Sequence, residues 1–157
     1  MKLRLLCVGK TTETYLQEGE SVYLKRLKHY CSIEKMDIPE LKNARKLSRE
    51  QIKKAEGELI LKALVPGERL ILLDENGKTF DSEGFSKKLQ VFLNQGGKGI
   101  CFAVGGAYGF SQEVYDRSEG KIRLSDMTFS HQMVRLFFLE QLYRAFTILK
   151  GEPYHHV

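Results

Sequence analysis

The sequence predicts an α/β fold with a mostly parallel sheet flanked by helices, and three observations predict it. Apolar runs of strand length alternate with amphipathic helical stretches. LRLLCVG, RLILLD and GICFAVG are apolar at nearly every position, which suits strands covered on both faces. Turn or cap residues stand at the boundaries between runs. The 157 residues read as a single domain, 1–157, long enough to bury one core.

Leu3–Gly9 opens the chain as a buried strand, and Thr14–Tyr30 follows as an amphipathic helix. Ser32–Ile38 alternates apolar and polar residues, as a half-exposed strand does. Ser48 caps a helix running to about Leu64, and Gln51 completes a capping box. Pro66-Gly67 ends that helix, and Arg69–Asp74 forms the second buried strand. Glu75–Lys78 reads as a turn around Asn76-Gly77. A helix starts at Ser82 and stops near Gly96-Gly97, and Gly99–Gly105 is the third buried strand. Gln112–Glu119 is a short helix, Lys121–Asp126 a short strand, and the final helix runs from His131 to about Lys150.

A net charge of +5 and a pI near 9.1 raise the odds of a nucleic-acid partner, because Lys and Arg release counterions from phosphate backbones, although many soluble proteins are mildly basic. Pro39–Ser48 concentrates that charge in Lys42, Arg45 and Lys46, and reads as either a solvated mobile linker or an RNA-touching loop. No apolar run approaches the roughly 20 residues of a membrane helix, and Lys10 cuts short the first strand as a signal core. A cytoplasmic protein without a membrane partner is expected. Cys7, Cys31 and Cys101 have no zinc spacing and read as buried thiols, so no metal is expected.

VGGAYGF (Val104–Phe110) follows a buried strand directly, where ligands of open α/β sheets sit. Glycines there let a ligand touch the main chain, although a plain tight turn fits as well. The pattern is neither a dinucleotide fingerprint nor a P-loop. LDENGK (Leu73–Lys78) also ends a buried strand, and alone it reads as a hairpin turn. Side by side in a parallel sheet, the strand ends at Leu73 and Gly105 would build one crevice. The final helix is apolar on nearly every side over Leu136–Leu139, which calls for either a partner subunit or a deep monomer core. Glu140 and Arg144 are spaced as a helix-surface ion pair or a catalytic couple. The tail PYHHV is either unstructured or a base-contacting element through Tyr154 and His155.

Together with the opening KLRLLCVGK, the segments LDENGK, VGGAYGF, LSDMTFSHQMVRLFFLEQLYRA and PYH resemble, in order and spacing, the RlmH-type ribosomal RNA large-subunit methyltransferases of the SPOUT class. The resemblance spans the whole chain. It implies a SPOUT fold with a C-terminal trefoil knot, a rare exception to unknotted topology. It also implies a homodimer that uses S-adenosylmethionine to methylate N3 of a pseudouridine in a hairpin of 23S ribosomal RNA on the ribosome. Cofactor contacts would be Leu73, Gly105, Leu124, Ser125, Asp126, Met127, Thr128 and Phe129. His155 would be general base or substrate orienter, with Glu140 second. Arg144 and Arg135 would hold phosphate or a base edge, and Tyr143 and Tyr154 would stack on or hydrogen-bond a flipped base. The chain departs from the family pattern in its GGAYG turn, in Ser130 where a proline is common, and in its HHV ending. The alternatives are a methyltransferase acting on another RNA base and a non-catalytic RNA- or ribosome-binding module.

Overall fold

The computed structural model describes residues 2–156. Its strands are β1 (Lys2–Val8), β2 (Ser32–Ile38), β3 (Arg69–Thr79), β4 (Ile100–Val104) and β5 (Gly120–Arg123). Its helices are α1 (Thr14–Leu27), α2 (Arg49–Ala63), α3 (Ser82–Asn94), α4 (Gln112–Arg117) and α5 (His131–Leu149). The strands form one sheet in the order β2-β1-β4-β3-β5. Every neighbouring pair is parallel, so all strands exit at the same edge.

The uninterrupted apolar runs are explained by what covers them. Alternate residues of β1, β3 and β4, including Leu5, Ile71 and Phe102, pack under α1, α3 and α5 with Leu27, Leu89, Phe138 and Leu142. The intervening residues, including Leu6, Leu72 and Cys101, pack under α2 and α4 with Ile60 and Val114. Both faces are therefore buried, as the sequence predicts. Ser48 and Gln51 form the expected capping box. Asp81 caps α3, its carboxylate accepting from the Gly84 amide at 2.7 Å. Ser111 and Ser130 cap α4 and α5. Cys7, Cys31 and Cys101 are free thiols; burial pushes Cys7 and Cys101 up to about 12 and Cys31 to about 11. Among the described residues, no helix is long and apolar enough to cross a membrane.

The structure departs from the sequence reading around LDENGK. The chain does not reverse there. β3 pairs with β5 through Leu73↔Ile122, bulges, and resumes with Lys78↔Ile122 and Thr79↔Arg123. Asn-Gly favours a local turn, but β5 pairs with both flanks and keeps the strand direction. Gly77 makes this possible: a Cβ on it would lie 2.7 Å from the backbone of Ile122. β5 also ends at Arg123 rather than Asp126, releasing Leu124–Ser130 as a loop. Helix α1 stops at Leu27 and α4 at Arg117, short of the expected Tyr30 and Glu119.

Candidate functional site

Because Leu73 and Val104 are partners in register, the ends of β3 and β4 open side by side. Beyond them lies a cavity of about 1050 Å³. Its walls come from Leu73–Asn76, Val104–Phe110 and Leu124–His131, with Arg49 and Lys53 reaching in from α2. Leu73, Gly105, Leu124, Ser125, Asp126, Met127, Thr128 and Phe129 all line this one cavity. Gly105 and Gly106 carry no side chain, which opens their main chain to a ligand in the cavity. Behind Gly105 a Cβ would press on the Phe110 ring at 3.2 Å, and behind Gly106 on the Glu56 carboxylate at 2.7 Å.

The loop after β5 is held locally. The Ser125 hydroxyl accepts from the Met127 amide at 3.0 Å, and Arg123 pairs with Asp126 at 2.5 Å. Phe129 packs on Phe137 of α5, with ring centroids 4.8 Å apart. Met127 is left 77% exposed at the rim. Across the cavity, the Tyr115 hydroxyl donates to Asp74 at 2.9 Å; burial and that bond push the phenol up to about 12. His131 is held below its ordinary range by burial and by the neighbouring Arg135 cation. Glu56 is pushed above the usual carboxylate range by burial and by Glu40.

A second polar cluster sits at the other end of α5. Glu140 Oε1 accepts from Arg144 Nη2 at 2.6 Å and from the Tyr154 hydroxyl at 3.0 Å. Arg144 Nη1 lies 3.1 Å from His155 Nδ1, and its guanidinium covers the Tyr154 ring at 4.7 Å. Glu140, Arg144, Tyr154 and His155 are thus one connected group. The pair spaced along the helix is an ion pair, and the tail joins it. Glu140 raises the Arg144 pKa, and burial with the Tyr23 and Glu140 hydrogen bonds raises that of Tyr154.

The tail is ordered, with Pro153–His155 forming a 3-10 turn. Val157, the last residue of the HHV ending, lies outside the described residues. Helix α1 and the turn that follows it supply the anchors that sequence reasoning missed. The Tyr23 hydroxyl meets that of Tyr154 at 3.4 Å, and the Tyr30 hydroxyl donates to Glu152 at 2.6 Å. Arg26 lies over the rings of both Tyr23 and Tyr143. Tyr23, Arg26 and Tyr30 share one helical stripe, and that spacing was the available signal.

Two residues expected at the RNA are used internally. Arg135 has no exposed surface. Its guanidinium donates to Val8 O at 2.8 Å, Gly9 O at 2.9 Å and Thr11 Oγ1 at 3.1 Å, and its Nε donates to His131 O at 3.2 Å. It ties α5 to the exit of β1, and with no exposed surface it presents nothing to a phosphate. Tyr143 is half-buried, with Tyr154, Tyr30 and Tyr23 around its ring at 4.8, 5.9 and 6.0 Å, so it braces the tail. Arg144, Tyr154 and His155 do not line the crevice, whereas Glu140 shares a second, smaller cavity with Leu124, Ser125 and Phe129. Arg144 lies about 20 Å along α5 from His131 at ~1.5 Å rise per residue.

Comparison with known proteins agrees with this arrangement. The model of the family described as predicted SPOUT methyltransferase matches residues 1–155. Ribosomal RNA large subunit methyltransferase H of Flavobacterium johnsoniae is 54% identical over 156 residues, covering 99% of both chains. The proteins of that name from Christiangramia forsetii and Flavobacterium psychrophilum are 54% and 55% identical, again over 99% of each chain. A solved structure of a probable methylase family protein from Haemophilus influenzae shares the fold, with a TM-score of 0.55 at 13% identity over 97% of this chain and 69% of that one. With a main-chain crevice at the exits of a parallel sheet and a match along nearly its whole length, the chain belongs to the SPOUT methyltransferase family.

Proposed function

We propose that the protein transfers a methyl group from S-adenosylmethionine to N3 of a pseudouridine in 23S ribosomal RNA, as a cytoplasmic homodimer acting on the ribosome. The observation that carries this reading is the cavity of about 1050 Å³ where Leu73, Gly105 and Leu124–Phe129 converge, in a chain 54% identical to ribosomal RNA large subunit methyltransferase H. The crevice fits the cofactor. Leu73, Val104 and Ile122 offer apolar walls to an adenine, and the Gly105–Gly106 main chain allows close approach. S-adenosylmethionine held there supplies an electrophilic methyl group whose leaving group is already good, so the chain's task is mainly positioning. The double pairing of β3 with β5, and the Gly77 contact with Ile122, support a trefoil knot in which the chain after β5 threads the bulge of β3.

The roles at the tail follow from donor chemistry. A guanidinium has no acceptor, so His155 Nδ1 accepts from Arg144, and a neutral His155 carries its proton on Nε2. His155 therefore orients a base carbonyl as a donor and is a poor general base in this tautomer. Glu140 is engaged by Arg144 and Tyr154, which leaves it holding Arg144 in place. The Arg144 cation favours the imide nitrogen in its deprotonated, nucleophilic form. Tyr154 stacks on or donates to the base. Because Arg144 and the tail residues beside it lie about 20 Å along α5 from His131 at the crevice, a partner's tail completes each crevice.

Methyl transfer to ribosomes, isolated subunits and naked ribosomal RNA, assayed in parallel with mass spectrometry of the product, tests the reading. Methylpseudouridine on large-subunit RNA is expected. A protein that binds no S-adenosylmethionine calorimetrically, or methylates a different base, refutes it.

A further inference from the structure

The charge of this chain is concentrated in one place. Residues 42–49 carry Lys42, Arg45, Lys46 and Arg49 and no acid, which accounts for all but one of the chain's net +5. Lys42, Arg45, Lys46 and Arg49 are all exposed, and none of them forms an ion pair among the described residues. Of the nearby acids, Glu50 is taken by Lys53 at 2.9 Å, and the exposed Glu40, beside Gly9, pairs with none of the four.

The segment has an ordered shape. Asn43 adopts the left-handed conformation (φ 60°), and Ala44–Lys46 forms a 3-10 turn closed by Lys46 N→Asn43 O and Leu47 N→Ala44 O bonds. Leu41, Ala44 and Leu47 turn inward as half-buried anchors. The cations between them are thereby presented outward on a short arm rather than strung on a loose linker.

The arm also stands beside the crevice. It leaves β2 at the edge where all strands exit and runs into α2. Arg49 ends it with its guanidinium 5.1 Å over the ring of Tyr108, inside the GGAYG turn. Arg49 and Lys53 line the crevice itself. A continuous basic track therefore leads from solvent to the methyl-transfer pocket.

From this juxtaposition we infer that the arm Lys42–Arg49 is the docking site for the phosphodiester backbone of the ribosomal RNA next to the target base. The inference rests on the proposed rRNA methyltransferase reading. Four uncompensated cations repel one another in the free protein, and a run of phosphates neutralises them in series while releasing counterions. The arm supplies the phosphate contacts that the buried Arg135 does not, and its Arg49–Tyr108 contact couples strand docking to the turn that lines the crevice.

The test uses the full-length protein with Lys42→Ala, Arg45→Ala and Lys46→Ala combined, leaving Arg49 and the crevice intact. KM for ribosomes is measured across a salt series, and S-adenosylmethionine affinity by calorimetry on the same preparation. KM is expected to rise by roughly tenfold at physiological salt, and the log–log salt slope to fall by about 2–3. The maximal rate and cofactor affinity stay within twofold, and the charge-conserving Lys42→Arg, Lys46→Arg protein behaves as wild type. An unchanged KM and salt slope overturns the inference. A raised KM with an unchanged slope overturns it too, pointing to a protein contact on the ribosome. Failure of the parent reading looks different, because the unsubstituted protein then transfers no methyl group to RNA at all.

Discussion

Arg135 shows how one residue's environment overrides its type. On sequence it is a cation near the start of a helix, one turn beyond His131, in a basic protein expected to bind RNA. In the fold it is fully buried, and it saturates the carbonyls of Val8 and Gly9 at the end of β1. Thr11 passes the network on to Glu20, which Thr11 Oγ1 meets at 2.8 Å, and Glu20 pairs with Lys35 at 3.3 Å. The cation is thus offset by a buried carboxylate one hydroxyl away. Removing the guanidinium leaves carbonyls and a charge without partners, at a cost of about 3–5 kcal/mol. Arg135→Ala is therefore expected to lower Tm by about 8 °C or more, at roughly 2–4 °C per kcal/mol for a domain of this size. Thermal unfolding checks this. An unchanged Tm combined with weakened ribosome binding would restore the RNA role. Periodicity cannot separate these outcomes, because burial of a single arginine depends on which carbonyls the fold brings under it.

At the level of elements, the legible parts were those whose signal is local. Continuous apolar runs marked β1, β3 and β4, and Ser48 with Gln51 marked the start of α2 within a residue. The strand ends at Leu73 and Gly105 were readable as neighbours because parallel strands share an exit edge. What was illegible was non-local. Asn76-Gly77 carries a turn signal, and nothing nearby announces that β5, arriving more than forty residues later, pairs on both sides of it. The tail was illegible for the same reason, since its anchors Tyr23, on α1, and Tyr30, in the turn after it, lie at the far end of the sequence. Gly77 gives the bulge a direct test. A methyl group there meets the N and C atoms of Ile122 at 2.7 Å, and a paired backbone has no rotamer to change. Gly77→Ala should cost about 2–4 kcal/mol. The loss should appear as a lower denaturation midpoint together with weaker cofactor binding, because the loop after β5 starts at this contact. Gly106→Ala is the control: the nearest atoms to its Cβ belong to the end of the Glu56 side chain, which can rotate away where a paired backbone cannot, so the loss of stability should be smaller than for Gly77→Ala.

For the whole molecule, the distance of Arg144 and the tail from the crevice is what the proposed homodimer explains. The crevice lies at the start of α5, and Arg144, with Tyr154 and His155 beside it, lies about 20 Å further along the helix. A methyl group is transferred over a few ångströms, so under the proposed reading a partner's tail, rather than the chain's own, reaches each crevice while the contacts that hold the tail to α1 stay in place. In a two-fold dimer the contact is reciprocal: each tail serves the other chain's crevice. Complementation follows from that geometry. An Ala107→Trp chain, with a bulky ring at the crevice rim, and an Arg144→Ala chain are each expected to be inactive alone. Mixed after reversible dissociation, half of the dimers pair one of each, and each such dimer holds one crevice and one tail that are both intact and face each other. Activity should recover to about a quarter of wild type, the share set by random pairing in a closed two-fold assembly. If both halves of the site came from the same chain, mixing would recover nothing, since every chain in the mixture carries a defect. A single measurement of methyl transfer before and after subunit exchange therefore distinguishes a shared active site from two independent ones.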